Sequence, residues 1–137
     1  LAMVAALLDC EQTKVLHEST KLRTREAFEQ EITRRLEGAK IIAAGAERFW
    51  NTVSLIMPHG ESHRWVARLD KCHIEVSAGS ACSSGKVKTS RVLRALGLND
   101  EEAACAVRVS LGIETTEDEV LRFAEAWSRK MARRTAA

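Results

Sequence analysis

The amino-acid sequence predicts an α/β fold of two layers, in which a few strands, at least partly antiparallel, are covered by helices. Two observations lead there. Long stretches at both ends are rich in Ala, Leu, Glu, Lys and Arg, the composition of helices. Between them lie short apolar or alternating runs of strand length, separated by Gly, Pro, Ser and Asn. A chain of 137 residues with 45% hydrophobic and 29% charged residues is expected to form a single domain over 1–137. Aromatic residues make up only 4%, with no Tyr, so aliphatic side chains and Ala-rich helices must supply most of the burial.

The first 36 residues contain neither Pro nor Gly and read as helix, with Ser19 and Thr20 expected to break it into two and Gly38 to close the second. Lys40 to Ala44 and Thr52 to Met57 have strand length, the latter closed by Pro58. Glu61 to Lys71 reads as a helix with Trp65, Val66 and Leu69 on one face, and Ile74 to Val76 as a short strand. Ser77 to Ser90 is small and polar, without either periodicity. Ser90 is expected to cap a short helix turning Val92, Leu93 and Leu96 inward and ending at Gly97. Asn99-Asp-Glu-Glu102 and Thr116-Glu-Asp-Glu119 are capping boxes that open two further helices. Between those boxes, Val107, Val109 and Leu111 alternate with Arg108 and Ser110, the pattern of a half-buried strand. The last helix carries Val120, Ala124, Trp127 and Met131 as its inward stripe.

Charge excludes some functions. With 21 basic and 19 acidic residues the net charge is +2, which gives no reason to expect nucleic acid or membrane as a partner. The basic residues Arg129, Lys130, Arg133 and Arg134 fall in the last turns of a helix, where cations suit the dipole. The apolar opening Leu1 to Leu8 is too short to span a bilayer and lacks the flanks of a secretory signal, so a reducing cytoplasm is the expected compartment. That opening reads as the middle of a helix without an N-cap, and a piece of a longer chain is expected.

Four cysteines, Cys10, Cys72, Cys82 and Cys105, include no Cys-x-x-Cys pair. Cys82 differs from the others in its surroundings. It lies among Gly79, Ser80, Ala81, Ser83, Ser84 and Gly85, close in sequence to Lys86 and Lys88. Exposure and nearby positive charge favour the thiolate, the nucleophilic form, although an ordinary loop cysteine fits the local residues as well. A phosphate-binding loop is excluded: five residues separate Gly79 from Gly85, and Val87 follows Lys86 where Ser or Thr is required. A metal site from Cys72, His73, Cys82 and Cys105, with His59 and His63 near, matches no ligand spacing, so no metal is expected.

Val76-Ser-Ala-Gly-Ser-Ala-Cys-Ser-Ser-Gly85 resembles the catalytic-cysteine loop of the class V aminotransferase-like cysteine desulfurases, in the branch whose loop reads Ser-x-Gly-Ser-Ala-Cys. The resemblance continues through Ser90 to Leu98, Val107-Arg-Val-Ser-Leu-Gly112 and Thr115-Thr-Glu-Asp-Glu-Val120, and less specifically through Asn51 to Leu55 and Gly60 to Ser62. It is strong over about residues 74–122 and weaker over most of the rest.

The resemblance implies the small C-terminal domain of a fold-type I pyridoxal-phosphate enzyme. It implies conversion of L-cysteine to L-alanine, with sulfur left as a persulfide on Cys82 for iron–sulfur cluster or thiocofactor synthesis. Arg108 would hold the substrate α-carboxylate, which suits a guanidinium that grips a carboxylate through two parallel bonds. It also implies a homodimeric complete enzyme and a sulfur-acceptor or scaffold protein as partner. The family's Schiff-base Lys and other cofactor ligands have no counterpart here, so the large cofactor-binding domain is expected to be absent and this chain inactive alone. Two further readings stand beside this one: a free-standing persulfide carrier or protein-interaction module without catalysis, and an aminotransferase-like protein using Cys82 structurally. His17, His59, His63, His73, Cys10, Cys72 and Cys105 receive no role.

Overall fold

Helix α1 runs unbroken over Ala2–Arg35, which overturns the expected break at Ser19 and Thr20. The structure, a computed structural model, describes residues 2–78 and 90–135, with the side chains of 12–18 and 130–135 set apart. Hydroxyl-bearing residues can stay helical when the hydroxyl bonds back into the preceding turn, as Thr24 Oγ1 does by donating to the Thr20 carbonyl at 3.2 Å. Among the described residues α1 meets the core through Phe28 and Ile32 of its second half, joined by Leu36 just beyond its end. Gly38 follows with φ +84°, and a Cβ there would stand 3.2 Å from Cβ of Pro58, so both backbone and space call for glycine.

Strand β1 (Lys40–Ile41) pairs antiparallel with β2 (Thr52–Ile56), Ile41 opposite Leu55. It is shorter than the sequence suggests because Ala43 adopts a φ of 56°, which turns the chain out of the sheet. The connection to β2 is pinned from α1. Buried Arg25 donates from Nη1 to the carbonyls of Arg48 and Phe49 at 2.9 and 3.0 Å. Glu29, one turn on, takes a bidentate bond from Arg48 at 2.7 and 3.0 Å. Bonds of this charge-assisted kind hold the chain's entry into β2 against α1.

Helix α2 (Ser62–Asp70) buries Trp65 and Leu69, while Val66 on the expected apolar face is only half-buried. The Trp65 indole N–H donates to the His59 carbonyl at 2.7 Å. The next strand begins later than expected. Residues 74–76 leave α2 through a turn in which His73 has φ 56°, and β3 is Ser77–Ala78. Ile74 and Val76 still pack against the core, so their apolar character reports burial without strand pairing. Ser90 caps α3 (Arg91–Ala95) as expected. Its inward face is a correction: Val92 is 67% and Leu96 51% exposed, because this five-residue helix packs against α4 (Asp100–Ala104) and buries none of its residues. Arg94 joins the two helices through Asp100 at 2.8 Å. The capping box at α4 is complete, Asn99 and Glu102 each accepting from the other's backbone N–H.

Strand β4 (Ala106–Ser110) pairs antiparallel with both β2 and β3, giving the order β1-β2-β4-β3. Every pairing described is antiparallel. Helix α5 (Glu117–Thr135) opens with Glu119 accepting from the Thr116 N–H at 2.8 Å and buries Val120, Ala124 and Trp127, while the Met131 side chain lies outside those described. Val53, Leu55, Val107 and Val109 meet α1, α2 and α5 in one core. Aromatic rings tie those three helices together: Phe28 stacks on Phe123 at 5.3 Å, Phe123 meets Trp127 at 5.0 Å, and Trp127 meets Trp65 at 6.0 Å. The fold is thus the mixed α/β arrangement of helices on a small antiparallel sheet. Among the described residues no helix is long and apolar enough to cross a membrane.

The helix layer can be tested at two positions. Trp127 is fully buried but its Nε1 has no hydrogen-bond partner. Trp127→Ala should cost about 3–5 kcal/mol in chemical denaturation. Trp127→Phe should cost much less, since it also removes an orphaned donor. Glu31 is held by Arg34 and Arg35, and its carboxyl pKa falls from 4.5 to about 2. A depressed carboxyl stabilises the fold above pH 4.5 and loses that effect as pH falls toward 2. Glu31→Gln should flatten the fall of Tm across that window.

Candidate functional site

The inward valines of β4 decide where Arg108 points. Val107 and Val109 are 1% and 4% exposed, so strand alternation turns Arg108 and Ser110 to the opposite face, where both are exposed. Arg108 sits in an inner strand with neighbours on both sides: Ser54 of β2 is opposite on one side, Ser77 of β3 on the other. Thr52 stands opposite Ser110 in the next row of that face. Among the described residues no hydrogen bond or ion pair engages the Arg108 guanidinium or the Ser54 and Ser77 hydroxyls. A fork of five donors on a rigid strand, flanked by two hydroxyls, is suited to a small carboxylate. Ser54 and Ser77 escape a reading of the sequence because they lie 54 and 31 residues from Arg108, and only strand register brings them beside it.

Cys82 lies outside the described residues, as do Lys86 and Lys88. The attachment of its segment is nevertheless defined. Ala78 pairs with Val107, Ser77 with Arg108, and Cys82 follows Ser77 by five residues. The remaining cysteines stand elsewhere. Cys10 is exposed on α1, Cys72 follows α2, and Cys105 ends α4. Burial, with the carboxylates of Glu61 and Glu101, pushes the Cys105 thiol up from its ordinary value, which suppresses the thiolate. His63 lies 3.5 Å from Glu61 in an exposed pair, and His73 forms the turn after α2. Among the described residues no three His, Cys, Asp or Glu side chains gather as a metal site would require.

The aminotransferase class-V family model matches residues 2–123. Cysteine desulfurase IscS of Mannheimia succiniciproducens is 60% identical over 47 residues, covering 34% of this chain and 12% of that protein. The IscS of an Escherichia coli strain is 57% identical over the same length. Among solved structures, a NifS-like protein from Rickettsia africae matches 82% of this chain with a TM-score of 0.69 at 23% identity. A second NifS-like protein matches 86% with a TM-score of 0.67 at 25% identity. The matched regions amount to 28% and 30% of those two chains, so this chain spans a small part of its relatives.

The family uses pyridoxal phosphate, and the described residues do not make a site for it. Lys21 is committed to the Thr115 carbonyl at 2.8 Å, while Lys40 and Lys71 are exposed at the sheet edge and after α2. The cleft between α1 and α5, about 620 Å³, is lined by Glu31, Asp118 and Glu125 against Arg35 and Arg122. A second cleft of about 530 Å³ carries Glu114 and Glu119 with no basic side chain. Neither combines an amine with the positive charge that a phosphorylated aldehyde needs. The contrast between cysteines is open to test: Cys105 should alkylate with iodoacetamide at pH 7 several-fold more slowly than free cysteine, a pattern read by peptide mass spectrometry. Its rate should keep rising at pH values above the range of an ordinary thiol.

Proposed function

This chain belongs to the aminotransferase class-V family, and from that membership we propose that it is the C-terminal small domain of a cysteine desulfurase. In this reading the complete enzyme converts L-cysteine to L-alanine and leaves sulfur as a persulfide on Cys82. The sulfur then passes to an acceptor or scaffold protein of iron–sulfur cluster or thiocofactor synthesis, in the cytoplasm. The large domain, the pyridoxal phosphate and the homodimer contacts are assigned to residues outside this chain, which by itself is inactive.

The observation that carries the proposal is the register of β3 on β4. Ser77 opposite Arg108 ties a prospective nucleophile, five residues along, to a prospective carboxylate anchor. Their division of labour follows from their settings. Arg108 is fixed by an inner strand and serves binding and orientation, where sub-ångström placement matters. Cys82 must approach the substrate sulfur and then deliver it, which suits attachment by a Ser/Gly-rich segment to an edge strand. The Cys82 thiolate forms the new sulfur–sulfur bond as the substrate carbon–sulfur bond breaks. The carbon released from sulfur takes the bonding electron pair and then a proton to become the alanine methyl, and in the complete enzyme pyridoxal phosphate would supply the electron sink for this change. Arg108 holds the carboxylate so that the sulfur faces the thiolate.

The test uses the full-length enzyme containing this chain. Cys82→Ala should abolish persulfide formation, followed by thiol-persulfide labelling and mass spectrometry. Arg108→Lys should raise KM for L-cysteine about tenfold or more, since lysine is a point charge that cannot form the bidentate pair. Persulfide transfer surviving Cys82→Ala would sink the nucleophile assignment. Persulfide appearing on Cys82 only from an external donor, with no alanine released, would instead support a non-catalytic carrier.

A further inference from the structure

We propose that Ser54 and Ser77 complete the carboxylate site with Arg108, acting as substrate-binding hydroxyls on the two flanking strands. The inference rests on the reading of Arg108 given above and extends it to two serines of the resembling stretches, Ser77 and Ser54, to which the sequence assigned no role. Its basis is the pairing of the central strand. Ser54 and Ser77 are the Cα partners of Arg108 on β2 and β3, so all three side chains rise from one row of the same sheet face. Directly opposed side chains on neighbouring strands start about 4.5–5.5 Å apart, within reach of a shared ligand.

Two features distinguish this row from a merely polar surface. Both serines are half-buried and, among the described residues, neither hydroxyl has a hydrogen-bond partner, while elsewhere the buried or half-buried hydroxyls of Thr24 and Ser128 bond to backbone carbonyls. The guanidinium between them is likewise unengaged among the described residues, as are those of Arg23, Arg64 and Arg91, but only Arg108 has hydroxyl-bearing residues opposite it on both flanking strands. The row thus presents three adjacent donor groups with no protein acceptor. Their small size matters as well. A Val or Leu at either flank would crowd the guanidinium from the side, whereas serine leaves it room to lie along the sheet and offers a donor of its own. A carboxylate has two oxygens and about four acceptor positions, so a bidentate Arg leaves capacity for further donors from either side.

The fitting ligand is the α-carboxylate of a small amino acid. The hydroxyls contribute to recognition of the carboxylate and leave the reacting sulfur to Cys82. Their removal should therefore raise KM and change kcat little, the signature of binding energy shared by ground and transition states.

The experiment is steady-state kinetics of the full-length, cofactor-loaded enzyme containing this chain. Ser54→Ala and Ser77→Ala are made singly and together, with Ser54→Thr restoring a hydroxyl, and cysteamine serves as a probe lacking the carboxylate. The double variant should raise KM for L-cysteine about tenfold, each single variant less, with kcat held within about twofold. The inhibition constant of cysteamine should stay unchanged, and Ser54→Thr should recover most of the lost affinity. Equal weakening toward cysteine and cysteamine would mean that the serines only support the sheet, and would overturn the proposal. So would an unchanged KM in the double variant while Arg108→Lys still raises it. An unchanged KM in Arg108→Lys would remove the carboxylate reading itself, a separate failure.

Discussion

Burial of Val107 and Val109 in the core shared with the helices, α2 packing on β4 itself, is the interaction from which the arrangement of the site follows. A strand offers its side chains to two faces in strict alternation, so committing these two valines to the core commits Arg108 to the other face. A slip of one residue would bury a guanidinium among Phe28, Leu55 and Trp127 and expose both valines, a costly exchange on either count. The flanking strands inherit that register. Val53 and Leu55 face the same core from β2, which places Ser54 beside Arg108, and β3 joins from the far side with Ser77. The Arg25, Glu29 and Arg48 network holds β2's entry from the helix layer, so the register is secured from outside the sheet as well.

In the proposed reading, two tasks of a sulfur-transfer site fall to different parts of this scaffold. Recognition of a carboxylate benefits from a rigid, inner-strand position, and β4 provides one between two paired neighbours. Delivery of sulfur, proposed for Cys82, requires travel, and Cys82 follows in the chain from β3, which among the described strands is at the sheet edge. The other thiols show why environment matters more than residue type. Cys105 stands at the end of α4, where burial and two carboxylates suppress its thiolate. The family match covers most of this chain, which itself spans only a small part of its relatives. The described clefts of this chain do not suit a phosphorylated cofactor.

Much of the fold is legible in the sequence because it is governed by local rules. Capping boxes at Asn99 and Thr116 bond within four residues, and both form where the sequence places them. The alternation of β4 names its own faces, which is why the outward side of Arg108 can be read from the strand pattern alone. The departures share one cause. Ser19 and Thr20 have the character of a break, yet whether such residues stay helical is a choice that neighbouring turns decide. Val92 and Leu96 are apolar, but inward has no meaning until the surface that α3 meets is known. Ile74 and Val76 resemble strand because burial and pairing leave the same apolar trace.

Sequence by itself thus determined the fold class, most element positions and the family to which the chain is related. These are properties of short windows, where composition, periodicity and motif order carry the information. The tertiary structure alone decided that Ser54 and Ser77 flank Arg108. Those neighbours are set by hydrogen bonds between strands far apart in the chain, and no local pattern encodes which strand will lie beside which.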